Sequence, residues 1–227
     1  MGPSASIRAG ALLLAGMLVL DGTGAAELRG HVKLVSADNQ TSLADLQDTV
    51  VFYKPDAQVR VKPLAGDLTI TMHGKSFVPH VLPITAGSTV RFANTDPILH
   101  NVFSSSAPND FDMGLYGTGP GKTKTFDHAG LVRVYCNVHH QMFAYILVLD
   151  TPYFAEVNED GSFELASLPA GPGEVTVWNP RGEVWRQHLD GIGPDGLSVE
   201  LKLIRNGVPA HFNKFGKPYD PNANPGY

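Results

Sequence analysis

The chain has 227 residues and a formal net charge of −5, from 17 Lys and Arg against 22 Asp and Glu. That balance supplies no basic face for nucleic acid or anionic lipid. Its 24 glycines and 17 prolines, short runs of Val, Thr, Phe and Tyr, and lack of a long helical period point away from a helical protein and toward an all-β chain with many turns.

Segment 1–26 reads as a signal peptide. Arg8 gives the positive start, 9–20 is an apolar run without charge, and Gly24-Ala25-Ala26 offers small residues for cleavage near Ala26. The run is too short for a membrane span, and no second long apolar stretch follows. An exported, periplasmic protein with no membrane span is expected. Residues 27–58 hold strands at 28–35 and 49–53, with one helical turn at 43–47 between them. Residues 66–150 hold strands at 68–72, 81–85, 89–93, 102–104, 123–126, 131–135 and 143–149, and 108–121 reads as a glycine-rich loop. Residues 151–204 hold strands at 153–157, 162–166, 174–178, 184–189 and 197–204, with Asn158-Glu159-Asp160-Gly161 as a hairpin turn. The tail 205–227, rich in Asn, Pro, Gly and aromatics, is expected to run extended or loose over the surface. Short strands at this spacing suggest β-sandwiches.

The single cysteine cannot form an internal disulfide. It lies in Cys136-Asn137-Val138-His139-His140-Gln141-Met142, which reads Cys-x-x-His-x-x-Met, and His100 lies upstream in Leu99-His100-Asn101-Val102. Taken singly, a lone Cys is usually a small buried hydrophobe, a Met after a polar loop is core, and adjacent His residues are solvated. Together, one thiolate, two imidazoles and a thioether make up the ligand set of a blue-copper site. The sulfur donors favour Cu(I), and the imidazoles suit both oxidation states. Three donors on one short loop also limit movement when the metal changes charge. His80 is the rival first ligand, but it lacks a following Asn and is read as structural. Met113 is read as a loop or packing residue and His140 as a solvated imidazole.

The stretch from about 68 to 149 resembles the cupredoxins. Gly87-Ser88-Thr89-Val90-Arg91-Phe92-Ala93-Asn94 is similar to the strand leading to their first ligand. His100-Asn101-Val102 is similar to the first-ligand motif, and residues 134–142 to an amicyanin-like ligand loop. The resemblance implies a Greek-key β-sandwich with one type 1 copper per chain at one end. It implies His100, Cys136 and His139 as the strong equatorial set, Met142 as the weak axial ligand, and Asn101 hydrogen-bonded across to the Cys loop. It further implies His139 as the electron port and a redox protein, a dehydrogenase or cytochrome, as partner.

The last strand set resembles the smaller carboxypeptidase regulatory-like, or transthyretin-like, β-sandwich. Residues 158–165 and Leu168-Pro169-Ala170-Gly171 carry that likeness, and Gly30-x-Val32 with Val50-Val51-Phe52-Tyr53 look like its opening strands. Two strands alone are not stable, so 66–150 is read as inserted into this module at a surface turn. The rival arrangement is one C-terminal module with the N-terminal strands packed on the other sandwich.

The function expected is single-electron transfer without turnover chemistry, because four protein donors leave no coordination position for a substrate. Multicopper oxidases need His-x-His pairs, which this chain lacks. Copper nitrite reductases place a His beside the ligand Cys, where Tyr135 and Asn137 stand. Periplasmic copper capture or delivery is the alternative, yet it calls for Met-rich tracts and the chain has 5 Met. An interaction module with a structural copper site is the third reading.

Overall fold

Alternating burial sets the strands. In β1 (Ala26–Ser36), Leu28, Val32 and Leu34 turn inward while Arg29, His31 and Lys33 face solvent. After α1 (Leu43–Gln47) and β2 (Val50–Pro55) come β3 (Leu68–His73), β4 (Ser76–Val78), β5 (Val81–Thr85), β6 (Ser88–Asn94), β7 (His100–Ser104) and β8 (Phe111–Tyr116). β9 (Gly119–Phe126), β10 (Gly130–Tyr135) and β11 (Phe143–Leu149) follow. The order closes with β12 (Tyr153–Glu156), β13 (Ser162–Leu168), β14 (Gly173–Trp178), β15 (Trp185–Leu189) and β16 (Leu197–Leu203). The structure, a computed structural model, describes residues 26–36, 41–204 and 210–219. The signal-peptide reading of 1–26 falls, but for Ala26, outside the described residues. Among the described residues no helix is long and apolar enough to cross a membrane.

The protein is all-β and builds two sandwiches. One stacks the sheet β5-β11-β10-β7-β8 on the sheet β4-β3-β6-β9. Its core includes Ile70, Met72, Phe92, Val102, Phe126, Val134 and Ile146. The other stacks β13-β1-β16 on β12-β2-β14-β15, around Val32, Tyr53, Phe163, Leu165, Val177 and Leu201. β1 is the middle strand of its sheet, antiparallel to β13 and parallel to β16. β2 lies between β12 and β14. Strands from both ends of the chain thus share one core, with the other sandwich formed by the chain between them.

A third cluster joins the two sandwiches. Val50 and Trp178 on one side meet Val81, Tyr145, Leu147 and Leu149 on the other. His80 sits at this seam, with Nδ1 2.5 Å from Asp48 Oδ2 and its ring edge-on to Phe143 and Tyr145. Its role is structural. Beside the seam, α1 is closed by a capping box in which Ser42 and Asp45 exchange hydrogen bonds. Asp45 also pairs with Arg181 at 2.7 Å.

Two local expectations are corrected. Segment 108–121 is not a loop; it contains β8 and the start of β9, paired with β7 and β6. One of its glycines serves a close approach. Gly121 has φ +74°, and a Cβ there would lie 1.6 Å from the Phe92 carbonyl oxygen. The turn at 158–161 is tight, with Gly161 N donating to Asn158 O at 2.9 Å, but it does not close a hairpin. β12 pairs with β2 and β13 with β1, so the turn passes the chain from one sheet to the other.

Candidate metal centre

The Cys-to-Met loop is the closed end of a strand pair. β10 and β11 are antiparallel with Tyr135 opposite Phe143, so Cys136 and Met142 form the next rung. Cys136 N donates to Met142 O at 3.1 Å, and Met142 N donates to His139 O at 2.9 Å. His139 is therefore carried on a turn only as long as the hairpin end permits. His100 arrives on β7, a strand buried at every residue, which pairs with β10 through Phe103 and Tyr135.

Three donors converge. Cys136 Sγ lies 3.9 Å from His100 Nδ1 and 3.8 Å from His139 Nδ1, and the two Nδ1 atoms are 3.1 Å apart. Metal–nitrogen bonds of about 2.0–2.1 Å and a metal–sulfur bond of about 2.3 Å place the donors of a trigonal set roughly 3.6–3.8 Å apart. The two sulfur–nitrogen separations are close to that spacing, while the 3.1 Å between the two Nδ1 atoms is shorter than it; two imidazoles with one thiolate are a donor set that suits copper. His100 and Cys136 are fully buried and Met142 is 1 % exposed. Cys136 and Met142 also belong to the same apolar core.

The electrostatics differ among the three donors. Burial alone would push the Cys136 thiol up. The hydrogen bond with His100 and the backbone amides of Asn101, His139 and Val138 outweigh burial and bring it below the ordinary thiol value. Burial pulls His139 down, as does the neighbouring His100, which keeps its ring neutral and able to donate a lone pair. Burial also acts to lower His100, but its partners Cys136 and Asp96 prevail and raise it.

Asp96 is the main residue that sequence reasoning missed. Its Oδ2 lies 2.8 Å from His100 Nε2. Its carboxylate accepts from the Gly74 and Lys75 amides at 2.7 and 2.9 Å, in the β3–β4 turn. Gly74 and Lys75 both have positive φ, which aims these two amides at one acceptor. The carboxylate thereby fixes the far side of the His100 ring and leaves Nδ1 facing the sulfur. The signal was present as an Asp four residues before the His, but only the fold shows which nitrogen it holds.

Asn101 accepts from Asn137 N at 3.3 Å and donates to Asp112 at 2.7 Å. His139 is half-buried and is the least covered of the four expected ligands. The His139 ring, the expected electron port, is closed at Nε2, which is buried without a hydrogen-bond partner among the described residues. Met113 packs against the core from β8. His140 is exposed, with its ring 5.7 Å from that of Tyr219. The segment 210–219 is not loose. Tyr219 Oη donates to the Cys136 carbonyl at 3.3 Å, and the Lys214 amide donates to Asn137 Oδ1 at 3.0 Å.

No protein-family model and no curated protein matches the chain. Among solved structures it is similar to a purple cupredoxin from Nitrosopumilus maritimus, with 24 % identity over 37 % of this chain and 100 % of that one, at a TM-score of 0.34. It is also similar to the reduced state of an amicyanin point mutant, with 18 % identity over 43 % of this chain and 99 % of that one, at a TM-score of 0.35. An oxidised amicyanin point mutant shows 16 % identity over the same shares, also at 0.35.

Proposed function

We propose that the protein is an exported carrier of single electrons that holds one copper ion per chain. The observation that carries this reading is the buried convergence of His100 Nδ1, Cys136 Sγ and His139 Nδ1. Met142, in the same apolar core, would supply a fourth, thioether donor. Copper in such a set supplies a one-electron couple. The chain's own residues do the rest. The backbone amides around Cys136 stabilise a thiolate, Asp96 holds His100 in place, and the apolar core excludes water from the donors.

No role in turnover chemistry is assigned to the site. Protein donors surround it, which leaves no place for a substrate to coordinate. A partner protein, a dehydrogenase or cytochrome, docks at the end that carries His139, the least covered of the four donors. The second sandwich serves as a regulatory-like module that braces the metal sandwich through the Trp178 seam.

The test is Cu(II) titration of the protein. An intense visible thiolate-to-copper absorption saturating at one equivalent is expected, and Cys136→Ser should abolish it. A colourless, copper-free protein overturns the reading. Sustained oxygen consumption or nitrite loss with a reductant would move the assignment to an enzyme.

A further inference from the structure

Segment 210–219 belongs to neither sheet pair, yet it lies across the donor loop. Its contacts form a closed polar ring. The Lys214 amide donates to Asn137 Oδ1 at 3.0 Å, and Asn137 N donates to Asn101 Oδ1 at 3.3 Å. Asn101 Nδ2 donates to Asp112 Oδ1 at 2.7 Å, and Lys214 Nζ returns to Asp112 Oδ2 at 2.7 Å. Beside this ring, His211 stacks on Tyr135 with centroids 3.9 Å apart and planes 8° from parallel. Tyr219 donates to the Cys136 carbonyl, and its ring meets those of His211 and His140 at 5.1 and 5.7 Å.

Most of these contacts fall next to a donor. Asn101 follows His100, Tyr135 precedes Cys136, Asn137 follows it, and His140 follows His139. The segment also carries its own turn. Asn213 Oδ1 accepts from the Phe215 and Lys217 amides at 2.9 and 3.1 Å. Beneath it runs a cleft of about 1190 Å³ lined by Phe103, Ser106, Arg133, Tyr135 and Phe212. Among the described residues, these hydrogen bonds and ring contacts link the segment to the donor loop.

We propose that residues 210–219 form a strap that holds the donor loop in its metal-ready shape, with Lys214 and Tyr219 as positioning residues. The strap rests on the metal reading above for its purpose, but not for its test. A metal site whose donors are already placed binds without first ordering a loop. The strap ties the His100 segment and the Cys136 loop to the same short stretch of chain, so neither moves without the other.

Cys136 is fully buried, so alkylation of this single thiol reports opening of the loop. In the metal-free full chain, Lys214→Met and Tyr219→Phe should each speed iodoacetamide reaction about fivefold, the double variant about twentyfold, and a chain ending at residue 209 at least as much. Lys214→Arg should restore the parent rate, because it keeps the charge pair with Asp112. In the copper-loaded protein the same variants should lose metal to a chelator faster and change the relative intensity of the thiolate absorption. Amide exchange in β1 and β16, which lie in the other sandwich, should not change. Alkylation within about twofold of the parent in the truncated chain overturns the strap. Exchange accelerated equally in both sandwiches also overturns it, since the effect would then be global stability. If the parent shows no thiolate-to-copper band, the metal reading falls while the metal-free alkylation still decides the strap.

Discussion

At the scale of single residues, the site depends on groups that hold the donors as well as on the donors. The Asp96 carboxylate is fixed by two turn amides before it reaches His100, so its position does not depend on the metal. Asp96→Asn leaves a single acceptor oxygen, so it should lose acceptance from one of the two amides, which bond different oxygens, as well as the charge facing the imidazole. Copper affinity is expected to fall about 10- to 100-fold, as is typical when a ligand's outer partner is removed. A competition titration against a chelator of known affinity measures it. Unchanged affinity would show that packing on β7 alone orients the ring. Tyr219 follows the same logic. Burial first, then the charge of Cys136 and the neighbouring Tyr135, push its hydroxyl up to about 12, so it remains a donor to the Cys136 carbonyl across the neutral range.

At the scale of elements, α1 is too short to stand alone and is held by Asp45. Burial raises this carboxyl, but the Ser42 amide, Arg181 and the Ser42 hydroxyl overcome that and bring it below the ordinary 3.8. A carboxylate with a lowered folded value contributes stability above its ordinary value and loses it as pH falls through the lowered one. Asp45→Asn should therefore cost about 2–3 kcal/mol at pH 7, given a 2.7 Å bond to Arg181 and side-chain exposures of 8 % and 27 %. Urea unfolding at pH 7 and near pH 3 measures it. The difference between parent and variant should shrink at the lower pH, and a difference equal at both would mean that packing of the amide, not loss of charge, is responsible.

At the scale of the whole molecule, the seam decides whether two sandwiches behave as one body. Trp178 is 8 % exposed and meets Tyr145 edge-on at 5.8 Å, and the contact between His80 and Asp48 crosses the same seam. Trp178→Ala removes the largest side chain there and should cost about 3–5 kcal/mol. The parent is expected to unfold in one calorimetric transition and the variant in two, with the copper band lost only in the transition of the metal sandwich. A single transition in the variant would mean that the chain crossings at 55–68 and 149–153 suffice to couple the two bodies.

Much of this protein was legible from residue type and spacing. The all-β class follows from short alternating runs such as Leu28, Val32 and Leu34, because a strand alternates its faces every residue. The helical turn at 43–47 follows from its cap, a local interaction between Ser42 and Asp45. The Cys-x-x-His-x-x-Met spacing marks a compact donor loop, because a hairpin end allows only so many residues between its closing pair. Three things needed the tertiary structure. β8 and β9 were hidden because glycines that suggest a loop also occur inside paired strands, at Gly114 and Gly119 with positive φ and at Gly121 where the Phe92 backbone leaves no room for a Cβ. Asp96, Asp112 and Lys214 acquire meaning only through partners 4, 11 and 102 residues away along the chain. The strap read as an extended or loose tail because its composition favours no regular element. What holds it is a set of hydrogen bonds to the donor loop, and such long-range pairing leaves no periodic trace in the sequence.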